Sequence, residues 1–362
     1  MKLIFENVLA RNGDFVLGPL DTSVITEKPQ VVMILGANGA GKSTLLKVIA
    51  GFTDIEKGRI TLDDTEVSSL PPQRRRVGLV SQEPYLFPTM SVEGNILFGA
   101  RDKSIATSLI DTLGLQELIK RKPSELSGGE AQRVSIARAL AMEPRILLMD
   151  EPFSHLDRSV QVQLRNIVKQ IVETNGTDVM YVTHSVEEAY SLGSLLLFMD
   201  KGRLAESLSA TGRLSDRDRS SLERTRPKTR KFAELLGYRN FISGKVVSGG
   251  DGVVDVKAGS RIFQGLGDEI PGKEVSLAVR PEDIVLSTVK PASSSHRNAI
   301  HARIAKLEIM GPVAEVLLQV DGQEELLLIS LVTTNSVTEL GLKVGQDIYA
   351  LFKATACHIV LD

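Results

Sequence analysis

The sequence predicts an α/β unit with a mostly parallel sheet, interrupted by a helical segment and followed by a β-rich unit. Three observations carry this expectation. Up to Lys201-Gly202, short apolar runs alternate with segments of helical period, the rhythm of a parallel sheet covered by helices. From about Glu83 to Ala141 the pattern turns mainly helical. From Phe241 onward it becomes short Val/Ile runs punctuated by Gly and Pro, the texture of strands and turns. A length of 362 residues calls for more than one domain.

Taken in order, Val31–Leu35 is a buried-strand run ending at a glycine, and Ser43–Ala50 reads as the helix after it. Val77–Ser81 is a strand, and Ala131–Ala141 a helix. Ile146–Met149 is a second buried-strand run. Val160–Glu173 has helical period, Asn175-Gly176 turns the chain, and Val179–Thr183 is another strand. Residues 206–235 are expected to link the two parts. Their basic run (Arg213, Arg217, Arg219, Arg224, Arg226, Lys228, Arg230) has no interleaved aromatic before Phe232, which suits a solvated helix or linker better than a nucleic-acid groove. Residues 236–362 hold a faint repeat. Arg239-Asn240-Phe241-Ile242 parallels Arg297-Asn298-Ala299-Ile300, and Ser276–Arg280 parallels Tyr349–Lys353. Two related β units, each unable to complete a barrel alone, would account for it; chance similarity between two β segments is the plainer alternative.

Composition narrows the function classes. Hydrophobic residues are 42% and charged residues 24%, so a globular chain is expected. A formal net charge of -2, from 43 Lys+Arg against 45 Asp+Glu, gives no electrostatic case for nucleic acid. The single cysteine, Cys357, allows no intrachain disulfide. No apolar run reaches the roughly 18–20 residues that span a bilayer. Glu6 falls where a signal peptide carries its apolar stretch, so the chain is expected in the cytoplasm, reaching a membrane through a partner.

Gly36-Ala37-Asn38-Gly39-Ala40-Gly41-Lys42-Ser43-Thr44 fits the phosphate-binding loop G-x-x-x-x-G-K-[ST], with a strand before it and a helix after. Glycines let backbone N–H groups curl around phosphate oxygens, and the helix offers its positive end. In that pattern Lys42 reaches the β- and γ-phosphates and Ser43 ligates Mg²⁺. Ile146–Met149 leads into Asp150 and Glu151, one carboxylate suited to holding Mg²⁺ and the next to acting as general base. Leu126-Ser127-Gly128-Gly129-Glu130 opens a helix. Ser127 and Glu130 make a capping box there, and Ser127 with the two glycine amides also suits a γ-phosphate.

With that segment the chain resembles the ATP-binding cassette (ABC) ATPases, whose signature sequence it is. The resemblance covers about residues 1–205 and implies an α/β P-loop NTPase cassette with a helical subdomain over about 83–145. It makes Gln82 the Q-loop glutamine, near Mg²⁺, and Ser154-His155-Leu156-Asp157 the D-loop. His184 becomes the switch histidine. It further implies head-to-tail homodimers in which Lys42 of one copy and Ser127 of the other grip one ATP, with permease contacts near Gln82–Ser91. Two departures stand out: the signature usually ends in Gln, here Glu130, and Phe15 is the one aromatic placed to stack adenine, although its alternation with Leu17 also suits a core position.

In the C-terminal part, Val279–Ile284 resembles a motif of oligonucleotide/oligosaccharide-type (OB-like) barrels appended to importer ATPases, here as tandem half-barrels. Ser295-His296-Arg297-Asn298, Thr333-Thr334-Asn335-Ser336 and Leu351–Thr355 resemble the small molybdate-binding domains. That likeness assigns Ser295, Arg297, Thr333, Ser336 and Lys353 to a tetrahedral oxyanion, with His296 replacing the usual alanine. Hydroxyls, Arg and Lys suit such an anion; surface charges and loop residues are the plainer account. The combined resemblance implies the ATP-hydrolysing subunit of a molybdate or tungstate importer. Its partners would be integral-membrane permease subunits and, indirectly, a periplasmic or extracellular substrate-binding protein, with no nucleic acid. It would sit at the cytoplasmic face of the membrane. Importers of ferric iron, sulfate, thiamine, polyamine or sugar are the alternative. A non-transport ABC ATPase would need a coiled-coil insertion or second cassette, and an oxyanion-responsive regulator a DNA-binding segment; neither is visible.

Overall fold

The computed structural model describes residues 1–209, 227–291, 293–322 and 326–361. It divides into two compact units, Met1–Thr225 and Arg226–Asp362. No helix among the described residues is long and apolar enough to cross a membrane.

In the first unit the chain runs through β1 (Lys2–Asn12), β2 (Phe15–Ile25), β3 (Val31–Leu35), α1 (Lys42–Ala50), β4 (Ile55–Leu62), β5 (Thr65–Glu66) and β6 (Val77–Val80). Then come α2 (Val92–Leu97), α3 (Lys103–Thr112), α4 (Gly128–Ala141), β7 (Ile146–Asp150), α5 (Arg158–Asn175), β8 (Asp178–Val182), α6 (Val186–Leu192), β9 (Leu195–Asp200) and β10 (Arg203–Ser209). Six strands form one sheet in the order β10-β9-β3-β8-β7-β6. The four pairings from β9 to β6 are all parallel, and β10 joins antiparallel. Every residue of β3 and β8 is buried, which is why both read as unbroken apolar runs. On α5, Leu164, Val168, Ile171 and Val172 form the buried stripe, one face of a 3.6-residue period.

Residues 2–25 differ from the β-then-α rhythm. They form two long antiparallel strands that begin a separate four-stranded sheet, β2-β1-β4-β5. The linker expected over 206–235 is narrower at both ends. Ser209 still belongs to β10, and α7 (Arg230–Leu235) buries Phe232 and Ala233 fully. Arg213, Arg217, Arg219, Arg224 and Arg226 lie outside the described residues.

The second unit continues with β11 (Asn240–Gly250), β12 (Val253–Ala258), β13 (Arg261–Leu266), β14 (Glu274–Val279), β15 (Val285–Ser287), β16 (Asn298–Met310), β17 (Val313–Val320) and β18 (Leu327–Thr333). It ends with α8 (Thr334–Glu339), β19 (Asp347–Phe352) and β20 (Cys357–Val360). The repeat is now a register. Asn240 pairs with Val279 between β11 and β14, and Asn298 with Phe352 between β16 and β19. The halves also exchange strands. β20, which follows β19, closes the barrel β11-β12-β13-β20-β14, and β15, which follows β14, joins the sheet β15-β19-β16-β17-β18. Neither half completes its own sheet, as the repeat implies.

The two repeated asparagines are buried and clamp the exchange. Asn240 Oδ1 accepts the Ile329 N–H at 2.6 Å, while its Nδ2 donates to the Ile329 carbonyl at 3.0 Å and to Val279 O at 3.2 Å. Asn298 treats Gln264 the same way, at 2.8 and 2.9 Å. An asparagine side chain carries the donor and acceptor of a peptide group, so each mimics one rung of a ladder.

Candidate nucleotide site and the C-terminal loops

The loop from Gly36 to Gly41 links the end of β3 to α1. Gly39 and Gly41 take φ of +79° and +98°. A Cβ at Gly41 would come within 2.5 Å of the Phe15 ring, so a side chain is excluded by space as well as backbone angle. Phe15 thus packs beside the loop, half-buried against the core. The Asn38 and Ala40 positions complete the turn, with Ala40 N–H donating to Ala37 O at 3.1 Å. Lys42 and Thr44 are buried, and Ser43 is the exposed position between them. Lys42 Nζ donates to Gly36 O and Ala37 O at 2.9 and 3.1 Å and lies 4.0 Å from Glu151 Oε1. Burial lowers the Lys42 pKa, opposed by Glu151 and Asp150.

Ser43 Oγ donates to Asp150 Oδ1 at 2.9 Å, joining the loop to the end of β7. Burial raises the Asp150 pKa, with the Ser43 bond acting the other way. Glu151 follows at φ +43°, a left-handed conformation that costs a non-glycine residue energy. Its Oε2 meets His184 Nδ1 at 3.1 Å. Lys42, Ser43, Asp150, Glu151 and His184 are therefore one connected set, drawn from the ends of two strands and a helix start.

The fold adds a support for His184 that sequence reasoning missed. Thr183 Oγ1 donates to the buried Glu188 at 2.5 Å and accepts the Ser185 N–H at 2.9 Å. Ser185 caps α6 by accepting the Glu188 N–H. Both neighbours of His184 are thus tied to Glu188. Ser185-Val186-Glu187-Glu188 reads as a capping box, which marks the helix start; the carboxylate instead reaches Thr183.

Gln82 is not joined to Ser43 or Asp150 by a hydrogen bond. Its Nε2 donates to Ser154 Oγ at 3.0 Å and contacts His155 Nε2, linking the loop after β6 to the loop after β7. Helix α4 holds that first loop from behind. Gln132 Nε2 donates to Ser81 O, and Arg138 donates to Pro84 O and Tyr85 O.

Ser127 caps α4, and both bonds of its box with Glu130 are present. Ser127, Gly128 and Gly129 line a cavity of about 320 Å³ together with Glu130, Arg133, His155 and Asp157. The glycines are needed for contact with the D-loop side: a Cβ on Gly129 would sit 2.7 Å from Val160. No residue of the loop Gly36–Thr44 lines this cavity. The signature and the phosphate loop of one chain therefore face different spaces.

The five residues assigned to an oxyanion are not brought together. Arg297 and Lys353 adjoin the paired Asn298 and Phe352, so they share one end of the β16–β19 ladder. Both are exposed and without an ion pair among the described residues. Ser295, two residues before Arg297, is exposed as well. Thr333 and Ser336 share a hydrogen bond at 2.8 Å where α8 begins. Thr333 pairs with Val313, which pairs with Met310, the far end of β16. At about 3.3 Å per residue the two groups are separated by about 40 Å of strand.

A chain with a phosphate loop at the head of a parallel sheet, a carboxylate pair at the end of another strand of that sheet and a capped signature helix is a nucleotide-hydrolysing cassette. The family model described as ABC transporter matches residues 21–154, and the TOBE domain model matches residues 294–359. The chain belongs to the ABC transporter family and is an ATP-binding, ATP-hydrolysing transport subunit. It is 37% identical to the molybdate/tungstate import ATP-binding protein of Pyrococcus abyssi, over 94% of this chain and 95% of that one. It is 33% identical to the molybdenum import ATP-binding protein of Yersinia pseudotuberculosis, over 96% and 97% of the two chains. Among solved structures, a dimeric ATP-binding cassette in a post-hydrolysis state with ADP and phosphate covers 58% of this chain and 100% of its own, with a TM-score of 0.51 and 27% identity.

Proposed function

We propose that this chain energises the import of molybdate or tungstate, as a homodimer at the cytoplasmic face of a membrane permease. The carrying observation is that the likeness to importers so named runs through both units rather than stopping at the cassette. Dimerisation is supported by the separate spaces faced by Ser127 and Lys42, because a signature remote from its own phosphate loop acts only on a second copy's nucleotide. The exposed Tyr85 and Phe98, beside the loop after Gln82, offer an apolar face for the permease.

At each nucleotide, the Gly36–Gly41 amides and Lys42 bind the phosphates. Ser43 Oγ and Asp150 Oδ1, 2.9 Å apart, are two hard oxygen donors on one side of the loop, a set that fits Mg²⁺; Gln82 supplies a third when its loop moves in. When bound, Mg²⁺ neutralises charge on the β- and γ-phosphates. Glu151 takes a proton from the attacking water as general base. His184, held to Glu151, keeps that carboxylate aimed and donates to the γ-phosphate. Ser127 of the other copy closes the site.

In the C-terminal unit, Ser295, Arg297 and Lys353 offer two unpaired cations and a hydroxyl, and Thr333 and Ser336 offer two more hydroxyls. The distance between the groups means that a complete set forms only where two copies meet. Bound oxyanion then favours one arrangement of the dimer and regulates hydrolysis.

Calorimetric titration of the full-length chain with molybdate, tungstate and sulfate, repeated with Arg297→Ala, tests the substrate. Micromolar or tighter binding of the first two, lost in the variant, is expected. Absence of binding by all three would make the barrel structural and favour another imported substrate.

A further inference from the structure

The signature of this chain ends in a carboxylate, and that carboxylate already occupies the Ser127 hydroxyl, one of the donors a phosphate would use. Glu130 Oε2 accepts the Ser127 backbone N–H at 2.7 Å and the Ser127 hydroxyl at 2.8 Å. The Glu130 N–H donates back to Ser127 Oγ at 3.4 Å. Both side-chain bonds use one oxygen, so a single anionic atom sits against both Ser127 donors. These bonds, the backbone one first, hold the Glu130 carboxyl below its usual range, with Arg121 and Arg133 adding to the effect. The group is therefore ionised wherever the protein is folded near neutrality. The cavity in front of it is large enough for a phosphate and is lined by Arg133 from the next turn of α4.

We infer that Glu130 is an internal competitor for the γ-phosphate of ATP, occupying Ser127 until a second copy's nucleotide displaces it. This rests on the reading of Ser127 as a nucleotide contact in the dimer. A hydroxyl has one proton to donate, and Ser127 cannot give it to Glu130 and to a phosphate at once. Closure must break the Ser127 hydroxyl bond to Glu130 and leave a carboxylate beside a phosphate. Arg133, three residues along the same helix face, and Arg121 are nearby cations able to receive it. Glu130 thus weakens the nucleotide grip by an amount that depends on its charge. A glutamine there keeps an oxygen to accept from Ser127, with no charge opposing the phosphate, and releases the serine more easily because neutral hydrogen bonds are weaker than charge-assisted ones.

The test is the ATP dependence of hydrolysis by the full-length chain, with thermal unfolding recorded for each variant. Ser127→Ala is expected to raise the KM for ATP. If it changes neither KM nor kcat, Ser127 is no phosphate contact and the reading beneath this inference fails. With that arm positive, Glu130→Gln should lower KM about tenfold, the scale of removing one charge a few ångströms from another in a partly screened site, and change kcat much less. The same substitution in a Ser127→Ala background should give a smaller gain, because the contested hydroxyl is gone. An unchanged or higher KM in Glu130→Gln overturns the competitor role while leaving the nucleotide reading intact. An equal gain in both backgrounds also overturns it, since simple repulsion would then suffice.

Discussion

Replacing Asn240 by alanine isolates the clamp between the exchanged halves. The substitution removes two donor bonds, to Val279 O and Ile329 O, and the acceptor for the Ile329 N–H. At about 1 kcal/mol net for each bond, local stability falls by about 3 kcal/mol. Asn298→Ala removes two comparable bonds to Gln264 and a weak contact to the Cys357 sulfur at 3.6 Å, so it should cost about 2 kcal/mol. Amide hydrogen exchange reads the two sites separately. In Asn240→Ala the Ile329 N–H should exchange about a hundredfold faster, since every 1.4 kcal/mol is one decade. The Gln264 N–H should hardly change. Asn298→Ala should reverse the pattern. If either variant accelerates both amides equally, the clamps are not independent rungs, and the energy lies in global barrel stability instead. If neither amide responds, water replaces the side chain and the clamp contributes nothing.

Other consequences are simpler to state. Glu151→Gln should cut ATP turnover about a hundred- to ten-thousandfold, the usual worth of a general base, with nucleotide binding retained in a filter or fluorescence assay. Cys357 is fully buried and its thiol pKa is pushed up by that burial, so an aromatic disulfide reagent should react at neutral pH only as fast as the unit opens, and at once in denaturant. Gly51→Ala should destabilise the cassette by about 2–4 kcal/mol in a urea titration. The residue holds φ +84°, and its Cβ would meet Arg75 Nε at 2.5 Å, disturbing a guanidinium that donates to the carbonyls of Val48, Ile49, Ser68 and Leu70.

Much of the cassette was legible because its signals are local. Buried parallel strands such as Val31–Leu35 read as apolar runs, and the phosphate loop writes its backbone angles as glycines. The Ser127–Glu130 box was legible for the same reason, as a four-residue pattern, although its competition with a phosphate needed the distances. Features made by distant pairing were not legible. β1 and β2 alternate buried and exposed residues, but nothing local says that β1 pairs with β4 across an intervening sheet strand and helix. The strand exchange is likewise a matter of register between remote segments. The oxyanion motifs are the sharpest case. Each string was readable, and together they suggested one pocket, yet the length of β16 sets Arg297 and Thr333 at opposite ends. A motif reports which groups are present; the ladder decides which of them meet.

The exchange of β15 and β20 also has a consequence in time. A ribosome releases the chain from its N-terminus, and a domain ordinarily folds once its last residue has emerged. The barrel begun at Asn240 has four of its strands by Val279 but waits for Cys357–Val360, some eighty residues later, before it can close. During that interval β13 and β14 present open edges, which are templates for pairing with another chain. Synthesis therefore passes through a stage in which the cassette is already complete while the barrel behind it is not, and a chain stalled before residue 357 would display those edges indefinitely.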